Sequence, residues 1–260
     1  MKLGLSTASF YSLGETEENA AHLLAFPELD TCEVFLETWS EYNAGFARQV
    51  RERLNGLQVT SVHPKGTQFE PDLFARSRRQ VEDAYRILNG VLEAGEALGA
   101  GYYVMHGPGT VVNPRPPEVL PELAERVDRM QRLAAAHGME ILWENVSWCT
   151  LPTVETVKTM RRLLPDMHFV LDTKQAHRAG QNPFDMLEAM GPQLRHVHIL
   201  DWCQDDTLCL PGEGCFDWPA FFARLKDMSY TGSVILEPYE YLAREDKRLR
   251  KSLRSLRQWI

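Results

Sequence analysis

The segment Met139-Glu140-Ile141-Leu142-Trp143-Glu144-Asn145 decides the fold. A short apolar run, entered from a helical pattern that stops at Gly138, reads as a parallel strand buried on both faces, and it ends on a carboxylate followed by an amide. A carboxylate is costly inside a core, whereas ligands of parallel sheets and barrels bind at the carboxyl ends of the strands. A lone acid there would more often cap the next segment or pair with a surface base. Glu144 has company, however. Asp172 ends the run His168-Phe169-Val170-Leu171, His198 stands near the end of His196-Val197-His198-Ile199-Leu200, and Glu237 follows Val234-Ile235-Leu236. Four apolar strands each deliver one metal-capable side chain at the same end.

Working outward, the alternation of strand and helix continues in both directions. Toward the N-terminus, strands are expected from Leu3 to Ser6, from Cys32 to Leu36, from Val59 to Val62 with His63 at its end, and from Tyr102 to Met105 with His106 at its end. Helices are expected across about 17–25, 44–54, 75–98 and 118–137, with a Gly/Pro loop over 107–117. Toward the C-terminus come a helix at 154–163, the strand ending at Asp172, and a helix opened by Pro183. The strand at 195–200 follows, then a long loop over 201–216 and a helix from Trp218 capped by Asp217. The strand at 234–236 and a helix at 244–256 close the chain. Eight strand–helix units with no break in composition predict an α/β protein, a single domain over residues 1–260 forming a closed (β/α)8 TIM barrel. No G-x-G-x-x-G follows the first strand, so the pattern does not support a dinucleotide fold.

The bulk numbers narrow the function. The chain has 260 residues, and 44% hydrophobic composition is enough to bury a substantial core. A formal charge of −8 argues against a nucleic-acid or membrane-surface partner. The one basic cluster, Lys247 to Arg257, alternates with Leu249, Leu253 and Leu256 and reads as the wet face of a helix. Five cysteines with no C-x-x-C pair point to reduced thiols and a cytoplasmic location. Cys203, Cys209 and Cys215 lie six apart, which fits no common zinc pattern. Residues 1–10 read as a run too short and too hydroxylated for a signal peptide, and no run reaches the roughly 18 apolar residues of a membrane span.

In a barrel, strand ends far apart in sequence meet on one rim, so Glu144, Asp172, His198 and Glu237 are expected to converge. Three carboxylates and one imidazole make a hard, mostly oxygen site. It suits one divalent ion, Mn²⁺, Mg²⁺, Co²⁺ or Zn²⁺, and leaves positions open for substrate oxygens. His63 and His106 extend the ring and are read as substrate contacts, with a second ion or a loop hydrogen bond as the alternatives. Phe10, Tyr11, Trp39, Trp148, Trp202 and Tyr239 cluster at the expected rim, either as an apolar wall against a sugar or as packing between loops. Lys65, Lys174 and Arg178 could meet a phosphate or carboxylate, or could be ordinary solvent-facing bases.

The segments His63-Pro64-Lys65, Met105-His106-Gly107-Pro108-Gly109, Trp143-Glu144-Asn145, Leu171-Asp172-Thr173, His196 to Asp201, Pro211-Gly212-Glu213-Gly214 with Asp217-Trp218, and Leu236-Glu237 together resemble the xylose isomerase-like barrel superfamily. That superfamily holds sugar isomerases and epimerases, hydroxypyruvate isomerase, inosose dehydratase and the apurinic endonucleases. The resemblance places Glu144, Asp172, His198 and Glu237 at the metal-ligand positions of the ketose 3-epimerase branch, with Glu144 and Glu237 at its catalytic acid/base positions. Many relatives have Asp-x-x-His where this chain has Asp172-Thr173-Lys174-Gln175, with His177 two residues later. Lys174, Gln175 and His177 are therefore candidates for one substrate contact, and Trp202 and Glu213 for others. Before the Pro-Gly-x-Gly loop stand Leu208-Cys209-Leu210 where relatives often place His or Arg, which disfavours a three-metal nuclease.

The expectation is a divalent-metal-dependent isomerase or epimerase of a small sugar or keto-sugar, phosphorylated or not, with manganese among the ions it would use. It would act by proton transfer next to a carbonyl through a metal-stabilised enediolate. Alternatives are a lyase of the inosose or dehydroshikimate dehydratase type, a multinuclear phosphodiester hydrolase of the apurinic endonuclease type, and a non-catalytic sugar-binding barrel. The expected partner is a small sugar or keto-acid, with no nucleic acid and no membrane; a homo-oligomer rests on family analogy alone.

Overall fold

A computed structural model describes residues 1–109 and 120–260; the expected loop beyond Gly109 and the expected helix start at Glu118 fall outside the described residues. The N-terminal half runs β1 (Lys2–Ser6), α1 (Thr16–His22), β2 (Thr31–Leu36), α2 (Ala44–Arg53), β3 (Gln58–Pro64), α3 (Arg78–Leu98), β4 (Tyr102–Met105) and α4 (Leu120–Ala136). Next come β5 (Glu140–Glu144), α5 (Val154–Leu163), β6 (His168–Asp172), α6 (Thr173–Arg178), α7 (Pro183–Met190) and β7 (Leu194–Ile199). A hairpin of β8 (Asp201–Trp202) and β9 (Leu208–Cys209) precedes α8 (Trp218–Asp227), β10 (Ser233–Leu236), α9 (Glu240–Ala243) and α10 (Asp246–Arg257). Eight parallel strands close in the order β1-β10-β7-β6-β5-β4-β3-β2, so the chain is the (β/α)8 barrel that the sequence predicts.

The period-two alternation of strands explains why both faces are buried. Val34 and Leu36, Ile141 and Trp143, and Phe169 and Leu171 belong to the shell between strands and helices. Their neighbours in sequence point into the lumen, where Val104, Leu142 and Val170 pack as a separate apolar group. One step further up β5 and β6 the inward positions are Glu144 and Asp172. Local signals set the ends of the helices. Gly138 takes φ +67° after α4, Asn182 accepts from Phe184 N at 2.9 Å ahead of Pro183, and Asp217 accepts from Ala220 N at 3.0 Å as expected.

Three departures matter for the site. The stretch expected as one long loop after β7 contains the β8–β9 hairpin. α6 was not foreseen, because six residues carry no amphipathic period; it starts where Asp172 accepts from Gln175 N at 2.8 Å. The register between β2 and β3 shifts at Cys32/Glu33, which sets Glu33 opposite Ser61. Among the described residues no helix is long and apolar enough to cross a membrane.

Candidate metal centre

The strand ends bring the four expected ligands together. Glu144, Asp172, His198 and Glu237 each offer one donor atom, and these atoms all lie within 4.8 Å of one another. They occupy four adjacent staves, β5, β6, β7 and the residue after β10, with Asp172 directly beside His198 in the sheet. Glu144, Asp172 and His198 are buried, and the Glu237 side chain is 12% exposed. Asn145, the amide after Glu144, fixes the next stave: its side chain donates to Asp172 O at 3.0 Å and accepts from Asp172 N at 2.7 Å. Thr173 does the same toward β7, donating to Leu200 O at 3.0 Å and accepting from Leu200 N at 3.1 Å. The ligand-bearing ends are thus laced by side chains where sheet pairing stops.

Whether a cation suits these groups can be judged from their unused capacity. Glu144 Oε2, Asp172 Oδ2 and His198 Nδ1 are buried without a hydrogen bond, although Lys174 Nζ faces Asp172 Oδ2 at 3.3 Å. Buried polar atoms of this kind are rare unless a ligand or ion completes them. His106 Nε2 lies 2.9 Å from Glu144 Oε2, but out of hydrogen-bonding alignment. His198 Nδ1 faces Glu237 Oε2 at 3.6 Å and Glu144 Oε1 at 3.8 Å. The set fits a divalent ion with mostly oxygen ligands.

Behind the ligands stands a residue that the sequence reading missed. Glu33, wholly buried on β2, lies 3.0 Å from His198 Nε2 and accepts from Ser61 Oγ at 2.7 Å. A proton on Nε2 shared with this carboxylate leaves Nδ1 as a lone pair for an ion, the arrangement that orients metal-bound imidazoles. Glu70 was missed as well. It is buried and takes Tyr103 Oη at 2.9 Å, Gly107 N at 3.0 Å and His106 N at 3.1 Å, so it shapes the end of β4.

Charge is balanced within the cluster. Burial opposes the charge on Glu33, but His198, His196 and His63 outweigh it and hold the carboxyl well below its usual range. Burial opposes the charge on Glu144 too, and His106 and His198 hold it low. Burial likewise acts on Glu237, but Lys174, His198 and His63 keep it down at about 2. Asp172 is pushed up to about 6 by burial, with Lys174 opposing and Glu144 and Glu237 adding to the rise. His63 rises to about 10, because Glu237 and Glu33 outweigh its burial.

The expected substrate-binding residues divide into two sets. His63 and His106 reach the cluster: their Nε2 atoms are 2.8 Å apart, and with Glu144 they form a second group of donors within 4.8 Å. Lys174 reaches it too, with Nζ 3.3 Å from both Asp172 Oδ2 and Glu237 Oε2. Gln175 turns to the loop after β5, accepting from Ser147 Oγ at 3.0 Å. His177 stacks on Trp202 with ring centroids 4.1 Å apart and pairs with Asp206 at 2.9 Å. Glu213 is turned away to α10, where Arg248 grips it at 2.7 and 2.8 Å. Asp201, at the start of β8, accepts from Gly212 N, Phe216 N and Trp218 Nε1 and so fixes the Pro-Gly-x-Gly loop that carries Glu213. Of the expected aromatic rim, Tyr11, Trp39, Trp148 and Tyr239 are exposed, while Phe10 and Trp202 are packed as core.

Comparison with known proteins agrees with the fold. Residues 22–259 match the family model described as xylose isomerase-like TIM barrel. An inosose dehydratase of Clostridium beijerinckii is 21% identical over 158 residues, 50% of this chain and 53% of that protein, so the chain spans about half the length of the curated relatives it matches. The structure of D-allulose 3-epimerase from Methylomonas sp. in complex with D-allulose superposes with a TM-score of 0.78 at 18% identity, covering 100% of this chain and 97% of that one. The IOLI protein with a bound zinc atom does so with a TM-score of 0.75 at 18% identity, covering 100% and 96%. At these identities the two structures share the fold with this chain.

Proposed function

Because the chain belongs to the xylose isomerase-like TIM barrel family, we propose that it is a divalent-metal-dependent isomerase or epimerase of a small sugar or keto-sugar. One observation carries the reading: the buried Glu144 and the partly buried Glu237 flank an aspartate and a histidine on four adjacent staves, with all four donor atoms within 4.8 Å. Glu144, Asp172, His198 and Glu237 would hold the ion, and a divalent ion there supplies Lewis acidity to a carbonyl and its neighbouring hydroxyl. Glu144 and Glu237 stand at the two ends of this arc and reach a substrate carbon from different sides. One takes the proton next to the carbonyl and the other returns it. The His63–His106 pair, beside both glutamates, hydrogen-bonds substrate hydroxyls and receives charge as the carboxylates change protonation.

A lyase that expels water from a cyclic polyol ketone uses the same acids, and the similarity to inosose dehydratases favours it as the second reading. The test is a metal-supplemented screen of ketoses, inososes and hydroxypyruvate in deuterated water. Deuterium at the carbon next to the carbonyl without loss of water supports the isomerase or epimerase; an absorbing enone selects the lyase. On a proven substrate, Glu144→Gln and Glu237→Gln are each expected to slow turnover by about 10²–10⁴. Intact turnover in both would remove them from the acid/base roles.

A further inference from the structure

We propose, building on the metal-dependent reading, that Lys174 is a built-in second cation of this site: it neutralises the carboxylate charge that a divalent ion leaves over and holds the affinity for that ion down. No other lysine or arginine among the described residues is buried; Lys174 is 4% exposed. Its placement follows from the start of α6, where the Asp172 side chain caps Gln175 N with Oδ1 and the first turn directs Lys174 back over the strand ends. There Nζ sits 3.3 Å from Asp172 Oδ2 and 3.3 Å from Glu237 Oε2, two of the four proposed ligands, and lies 5.1 Å from the centre of the Tyr239 ring.

Glu144, Asp172 and Glu237 carry three negative charges when ionised. A divalent ion answers two of them and the ammonium answers the third, while Glu33 and His63, 3.6 Å apart, form a pair of opposite charge, so the loaded site is neutral before substrate enters. The ammonium also shares two carboxylates with the ion in a poorly screened pocket, where like charges a few ångströms apart repel strongly. A lysine that merely braced Asp172 and Glu237 would have the opposite effect: its loss would loosen the ligands and weaken the ion's hold. The direction of the change in affinity therefore separates the two roles.

The experiment is a Mn²⁺ titration of the full chain after chelator treatment, with free Mn²⁺ read by its electron paramagnetic resonance signal, for the wild type, Lys174→Met, Lys174→Gln and Lys174→Arg. Lys174→Met and Lys174→Gln are expected to bind at least about tenfold more tightly. Lys174→Arg, which keeps the charge, is expected to stay within about threefold of wild type. Unchanged or weaker binding in the two neutral variants, with the wild type still binding, overturns this proposal and leaves the metal-dependent reading standing. Absence of binding to every protein, repeated with Mg²⁺, Co²⁺ and Zn²⁺ by calorimetry, overturns both. Should the neutral variants unfold without metal, their melting temperature is measured with and without Mn²⁺: a larger rise than in wild type supports the proposal, and an equal or smaller one overturns it.

Discussion

Glu33 offers the most direct test of how the barrel tunes its ion site. It lies one layer below Glu144 and Asp172, meets His198 Nε2 at 3.0 Å and is braced by Ser61 at 2.7 Å. With His63, His198 and Glu237 it also forms a group of donors within 4.8 Å; the expectation is that it acts on the ion through His198. Removing the carboxylate frees the imidazole to turn and to change tautomer, so Nδ1 no longer presents a fixed lone pair. Loss of such an outer partner typically weakens metal binding by about 10–100-fold, or about 1.4–2.7 kcal/mol. Glu33→Ala also strips a buried group from His198, Ser61 and His196, at about 3–5 kcal/mol of stability. Glu33→Gln keeps an acceptor of nearly the same shape, so its stability loss is expected to be about 1–2 kcal/mol while most of the affinity loss remains. The assay is chelator competition for the bound ion, alongside thermal unfolding with and without metal. A folded Glu33→Gln variant that binds the ion as tightly as wild type would show that the carboxylate does not control His198, whatever happens to Glu33→Ala.

Two further outcomes follow from the same geometry. Asn145→Ala leaves the buried N–H and C=O of Asp172 without their side-chain partners, a loss of about 2–4 kcal/mol; an unchanged melting temperature would show that the lacing is dispensable. Glu37, at the end of β2, is pushed up to about 7 by burial together with Glu41 and Glu15, with Lys65 opposing. Its neutral form is the one the fold favours, so its stabilising contribution is complete below the unfolded value near 4.5 and is lost as pH rises through about 7. Wild type should therefore melt progressively lower than Glu37→Gln between pH 5 and 8, and a gap that does not change with pH would contradict this.

The barrel and the convergence of four candidate donors on its rim were legible because each donor stands at or near the end of an apolar strand, and a strand end is a place that sequence marks. Glu33 and His196 were less visible, since both sit inside strands. A signal was present all the same: Cys32 and Val34 face the outer core, so the acid between them points into the lumen and needs a partner there. Which partner it finds depends on the shift between β2 and β3 and on β7, across the barrel in chain order. Glu70 lies in 3₁₀ turns with no periodic pattern. Glu213 stood in a motif that suggested the site, but its direction is set by Asp201 and by Arg248, 35 residues away.

The lumen itself explains why the site lies where it does. On the β4–β6 side the inward positions below the rim are Val104, Leu142 and Val170, an apolar wedge. On the β2, β3 and β7 side they are Glu33, Ser61 and His196, each fully buried and joined to one another. A polar layer at that depth lowers stability relative to packed aliphatic side chains unless every charge is matched. Here the match runs upward: Glu33 ties Ser61 and His196 below to His198 and His63 above, and those two histidines face Glu144 and Glu237. The apolar half offers Glu144 and Asp172 no such support from beneath; theirs comes from Asn145, His106 and Lys174 at the rim. The two halves therefore fail differently. Substitutions in the β2–β3–β7 half are expected to act on a bound ion through the orientation of His198, and those around Glu144 and Asp172 directly through the carboxylates. Lys174, the cation of the second half, is where a change of charge alone should tighten rather than weaken the hold on the metal.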